Sequence, residues 1–237
     1  MNIIEIISDA LEYPLHNIPS LILFLILGII AAIIGGSTAV SIIVGLKSTG
    51  LAGGAFTGMG VIGLIVFIII LFLVEGYALD IIKYGIERRT DSPGIDIGRQ
   101  IANAIKLVVV SIVYYIIPVI IIFVLSLILK TWLIAVIAII LFIVFALAHF
   151  MAKCRLAKTD DLGAALAIGE AIGDISRVGF AKIIILVLIV AVILMLIAIV
   201  VALFSKINST LGSIILGIAS VYFSFFYNRA IGLLYSD

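Results

Sequence analysis

Apolar residues along the chain fall into six long runs, separated by short breaks that carry most of the charge. The runs are Leu21–Leu46, Met59–Ala78, Leu107–Leu129, Trp132–His149, Ile183–Phe204 and Leu211–Tyr227. Each is close to or above the roughly 17–25 residues that an α-helix needs to cross a bilayer. The first run would rise about 39 Å as one helix, against a hydrocarbon core of about 30 Å. It must therefore tilt, protrude or break, and Gly35-Gly36 is the expected place for a break. Gly28, Ala32 and Gly36 stand four apart, a small-residue stripe that lets another helix approach closely, and packing is preferred to an unwound ligand site. Gly50, Gly53, Gly54 and Gly58 predict a mobile connection to the second run. Pro118 lies inside the third span, where a missing backbone N–H predicts a kink.

Outside the runs the pattern becomes amphipathic. Ile3, Ile4, Ile7 and Leu11 recur at helical spacing with acids between them, which predicts a short interfacial helix ended by Pro14 and Pro19. Residues 1–19 hold no Lys or Arg, unlike a secretory signal. Between the second and third runs, Glu75 to Gln100 leaves the membrane as a mixed-charge helix and breaks at Pro93-Gly94. It restarts with Ile97, Ile101 and Ile105 on one face and Asp96 as a cap. Residues 162–178 predict a similar interfacial helix. The fold class is thus all-α: a polytopic membrane helical bundle of six transmembrane helices with short cytoplasmic interfacial helices.

Three of these segments share the pattern I-x-[ER]-x-I-[small]-[DN]: Ile3 to Asp9, Ile97 to Asn103, and Ile168 to Asp174. Each precedes an outward span ending near one lysine (Lys47, Lys130 or Lys206). The returning spans end in Arg89-Thr90-Asp91, Lys158-Thr159-Asp160 and Tyr235-Ser236-Asp237. A threefold parallel repeat of helix plus hairpin, over residues 1–91, 92–160 and 161–237, would produce this order. Any interfacial helix alternates Ile with small and polar residues, so chance matches remain the competing explanation.

Composition excludes the soluble classes. Hydrophobic residues make up 65% of 237 and charged residues 11%, with a mean hydropathy of +1.49; a soluble domain carries roughly 25% charged residues. A net charge of +1 offers nothing to nucleic acid. Eleven of the fourteen Lys and Arg residues fall on one side of the six-span pattern and three on the other. Both termini are therefore expected in the cytoplasm of a cell-membrane protein. Asn208-Ser209-Thr210 is a formal sequon lying very close to the membrane.

Candidate chemistry is sparse. There is no metalloprotease, P-loop or nucleophile-elbow motif, so no catalytic residue, cofactor or metal is expected. Cys154 lies between Lys153 and Arg155, which could activate it, though a bystander thiol is the plainer reading. The unusual polar residues gather at the inner ends of the returning spans, and the candidate cluster is Glu75, Asp80, Lys83, His149, Asn228 and Arg229. Either they pair and lock the bundle, or they line a site around Glu75, about 7.5 Å deeper than Asp80. Asp80 and Arg229 fall within about 4.5 Å of rise in register, which predicts a contact between them.

The order of these pieces resembles an archaeal family of multi-pass membrane proteins of unknown function. The matching residues are Gly76-Tyr77, Arg88-Arg89, Pro93-Gly94-Ile95-Asp96, Ala104-Ile105-Lys106, Gly163-Ala164-Ala165 and Phe226 to Tyr235. The family pattern has paired prolines and a following Trp where this chain has Pro93 alone. The resemblance supports the fold and implies no activity. A looser likeness to membrane domains fused to glycerophosphodiesterases implies lipid contact. The expected function is that of a non-enzymatic, lipid-associated or scaffold-like membrane protein with membrane lipids as partners. A small transporter or channel using the Glu75 site is the alternative.

Overall fold

In a computed structural model covering residues 1–48 and 50–236, without the side chains of Leu51, Ala52 and Phe56, every regular element is an α-helix. Helix α1 (Ile3–His16) opens with a capping box, in which the Asn2 backbone N–H donates to Glu5 Oε2 at 2.9 Å. This satisfies donors that a helix start otherwise leaves open. It buries Ile6, Ala10 and Tyr13, with Pro14 in its last turn. Six helices long and apolar enough to cross a membrane follow: α2 (Ile18–Lys47), α3 (Gly50–Ile86), α4 (Ile97–Ser126), α5 (Thr131–Thr159), then α8 (Phe180–Ile207) and α9 (Ser209–Tyr235). The short helices α6 (Leu162–Leu166) and α7 (Ile168–Val178) lie between α5 and α8. Five of the six expected spans sit within one of these helices; the third, Leu107–Leu129, outruns α4, which ends at Ser126.

Several sequence expectations need correction. Helix α2 runs unbroken through Gly35-Gly36. The glycine-rich stretch from Gly50 is the start of α3 rather than a mobile connection, and within it Gly53 lies against the Ser48 and Gly45 carbonyls at the end of α2. The Ile97–Ile105 segment is not a separate interfacial helix; it is the first three turns of the continuous α4, capped by Asp96, whose Oδ1 accepts from the Arg99 N–H at 3.0 Å. Pro118 lies inside this helix, as the sequence places it. Asn208 is the N-cap of α9, its side-chain oxygen accepting from the Thr210 and Leu211 N–H groups, so the sequon has a structural use. The expected terminal residue of the third unit, Asp237, lies outside the described residues.

The three returning helices, α3, α5 and α9, pack on one another at the centre. Helix α2 lies across α3 and α9, α4 across α3 and α5, and α8 against α9, while α6 and α7 cover α5 and α1 covers α9. Small residues set the spacing as expected from the stripe. A Cβ on Gly217 of α9 would lie 2.7 Å from the Gly28 carbonyl oxygen of α2, so only glycine permits that crossing. Most core residues lie toward one end, where α1, α6, α7 and nearly all the charge also gather. Toward the other end the outward helices present Ile, Leu and Val outward, as a lipid-facing surface requires.

Candidate functional site

The charged end is organised by three junctions, each between an amphipathic segment and a returning helix. At the first, α1 lies on α9 and Asp9 receives two hydrogen bonds from Arg229: Nε to Oδ1 at 2.7 Å and Nη2 to Oδ2 at 3.3 Å. Arg229 Nη1 donates to the carbonyls of Tyr84 (3.4 Å) and Arg89, and the guanidinium stands 4.8 Å from the centre of the Tyr13 ring. Only 1% of this side chain is exposed. Arg229 thus satisfies most of its donors inside protein, as a buried guanidinium must.

At the second junction, α4 lies on α3. Asp80 accepts from Arg99 Nε at 3.1 Å and from Asn103 Nδ2 at 3.0 Å. These groups border a small polar cleft of about 50 Å³ between α3, α4 and α5, with Lys83 and Asp160 at its edge. That volume holds a water or two. Lys106 meets Asp160 at 2.6 Å nearby.

The third junction joins α7 to α5 and α9. Asp174 accepts from Arg155 Nη1 (3.2 Å), Arg177 Nε (3.1 Å) and the Tyr235 hydroxyl (2.8 Å). Burial would raise the Asp174 carboxyl, but the hydrogen bonds from Tyr235, Arg177 and Arg155 outweigh it and hold it below the ordinary carboxylate range. Arg155 also pairs with Glu170 and donates to the Ala164 carbonyl at 2.8 Å.

The six candidates therefore do not form one cluster. Asp80 and Lys83 share the second junction's cleft, whereas Arg229 belongs to the first. The expected Asp80–Arg229 contact is replaced by Asp80–Arg99 and Arg229–Asp9. Asp80 lies one turn from Gly76, whose backbone packs against Gln100 of α4, so this face of α3 points away from α9. Arg229 meanwhile turns to α1, which depth counting along the spans could not weigh. Asn228 bonds within its own helix, donating to the Ser224 carbonyl at 2.7 Å. His149 Nε2 lies 3.0 Å from the Ser111 hydroxyl, in a different groove. Cys154 is fully buried, which fits the bystander reading.

Glu75 differs from the rest. Exposed, like Lys83, it alone of the six borders a groove of about 310 Å³ between α2, α3 and α9, beside Ser220 and Ser224. Sequence reasoning missed several residues that the junctions use, among them Asp9, Arg99, Asn103 and Asp174. Their signal was present, since all four occupy the third or last place of the shared seven-residue pattern.

The fold and these junctions define an all-α membrane protein whose helices are tied at one end by arginine–carboxylate pairs. Residues 59–205 match the family described as Protein of unknown function (DUF4013), and the chain belongs to that family. The match takes in Glu75, Asp80, Lys83 and His149 and ends before Asn228 and Arg229. No curated protein and no solved structure matches the chain.

Proposed function

We propose that the protein is a non-enzymatic, lipid-associated scaffold that crosses the cell membrane six times with both termini in the cytoplasm. The observation that carries this reading is the use made of its buried charge. Asp80, Asp174 and Arg229 are buried, and each meets an opposite charge across a helix junction, where the pairs hold separate segments together. A reaction needs convergent groups around a space for substrate; these converge on each other. The orientation rests on the excess of Lys and Arg at that end. The protein is built from three helix-plus-hairpin units, 1–91, 92–160 and 161–237, around an axis near the membrane normal. The three junctions support this, because each joins one unit's amphipathic segment to the returning helix of another.

A second reading has its own support. An exposed carboxylate at the depth of Glu75, beside a groove, is where a transporter would place a coupling site. Purified protein in vesicles with an entrapped pH indicator separates the two. Proton and alkali-cation leak should match protein-free vesicles for wild type and Glu75→Gln alike. A wild-type flux that Glu75→Gln abolishes would establish the transporter instead. A C-terminal reporter active only outside the cell would overturn the orientation.

A further inference from the structure

A groove of about 530 Å³ runs between α4, α5, α8 and α9. Helix α5 contributes Lys153 and His149, one turn apart, with Leu147 and Ile143 further along; α4 contributes Tyr115 and α9 contributes Tyr227. Ile184 and Val187 of α8 close the far wall. Lys153 is half-buried there. Among the described residues its ammonium has neither an ion pair nor a hydrogen bond, and the Tyr227 hydroxyl has no hydrogen bond. That sets Lys153 apart from nearby cations, since Lys106, Arg155, Arg177 and Arg229 each meet a carboxylate. His149 is already engaged by the Ser111 hydroxyl at 3.0 Å, so it shapes the groove rather than offering a free group.

A half-buried lysine with no counter-charge, standing in a groove lined by a hydroxyl, is suited to an anion. The groove also changes character along its length. From Lys153 to Ile143 is ten residues, or about 15 Å of helix, and over that distance the lining passes from cation and hydroxyl to aliphatic side chains. Lys153 stands at the same end of α5 as Arg155 and Lys158, the charged end of the bundle. A free anion would use only the polar end of such a groove. A molecule with an anionic head and a hydrocarbon tail uses all of it.

We propose that this groove binds one anionic phospholipid, with its phosphate on the Lys153 ammonium and Tyr227 hydroxyl and an acyl chain along Leu147, Ile184 and Val187. The inference deepens the lipid-associated reading and rests on it. Lysine binds phosphate as a point charge, so arginine should substitute for it and glutamine should not.

The test is native mass spectrometry of the full chain titrated with dioleoylphosphatidylglycerol, with dioleoylphosphatidylcholine and inorganic phosphate as separate probes. Wild type should take up one phosphatidylglycerol saturably, and Lys153→Gln should weaken that uptake about tenfold or more, the scale of a lost charge-assisted bond. Lys153→Arg should retain it, and Val187→Trp, which fills the tail end, should reduce it with Lys153 intact. Equal binding by Lys153→Gln, equal uptake of phosphatidylcholine, or displacement of the lipid by phosphate alone would each overturn the proposal. A Glu75-dependent flux would overturn the scaffold reading and leave this groove standing, whereas indifference to Lys153 would remove the groove and leave the scaffold.

Discussion

Removing the Asp9 carboxylate should destabilise the bundle more than removing the arginine it faces. Asp9→Ala leaves the Arg229 guanidinium inside protein, 1% exposed, with only the Tyr84 and Arg89 carbonyls and the Tyr13 ring for company. Breaking a buried pair in this way costs about 3–5 kcal/mol. The two remaining carbonyl bonds place Asp9→Ala at the lower end, about 3 kcal/mol. Arg229→Met removes the charge and keeps most of the volume. The surviving carboxylate is 32% exposed, so water can reach it, and the cost should be about 1–2 kcal/mol. The double variant buries no charge at the junction and should fall within about 1 kcal/mol of wild type, because buried pairs replaced by apolar groups are often neutral. Unfolding followed by circular dichroism in mixed micelles of increasing dodecyl sulfate content measures all four corners of the cycle. Additive single effects, or Arg229→Met costing more than Asp9→Ala, would refute the view that Asp9 neutralises a buried arginine.

Two further outcomes follow from the packing and the electrostatics. Gly76→Val should lower stability by about 1–3 kcal/mol or more, because any Cβ there meets the Gln100 carbonyl, whereas Gly58→Ala, in open space, should be neutral or slightly stabilising; thermal unfolding in detergent compares them. The folded Asp174 carboxyl is held below its unfolded value, so its contribution is complete above roughly pH 4 and disappears as pH falls through the folded value. Wild type should therefore lose stability below that point relative to Asp174→Asn, and parallel curves for the two proteins would contradict this.

The fold was legible because lipid-facing helices must satisfy their backbone internally, and six apolar runs of spanning length leave little alternative. The Gly28 stripe was legible for a similar reason: at that spacing, small residues matter only to a close neighbour. Helix continuity was harder to read. Gly35-Gly36 and Gly53-Gly54 look like breaks when propensity is summed along the chain, but Gly35 lies against the Phe67 ring of α3 and Gly53 against the Ser48 carbonyl at the end of α2, contacts that propensity does not count. Asp80 was placed with Arg229 because depth along a span can be counted from sequence, while the direction of a side chain around its helix depends on which neighbour each face meets. Gly76 held that information, since a glycine one turn before Asp80 marks the face where α4 comes closest.

If residues 1–91, 92–160 and 161–237 are repeats, the junctions also explain why the shared pattern is faint when residues are compared by identity. Each junction holds one principal arginine–carboxylate pair, but the two charges change places. The amphipathic segment supplies the carboxylate at Asp9 and Asp174, and the returning helix supplies Arg229 and Arg155. At the middle junction the returning helix carries Asp80 and the segment carries Arg99, and the last place of the pattern is the neutral Asn103, which still bonds to Asp80. Reversing both partners preserves the tie while erasing the match in a column-by-column comparison. What remains constant is the buried face beneath: Ile6, Gln100 and Ala171 hold the fourth place of the pattern, each at most 1% exposed. If the three units descend from one, burial at this place is the constraint that persisted, and charge was free to exchange sides as long as both halves changed together.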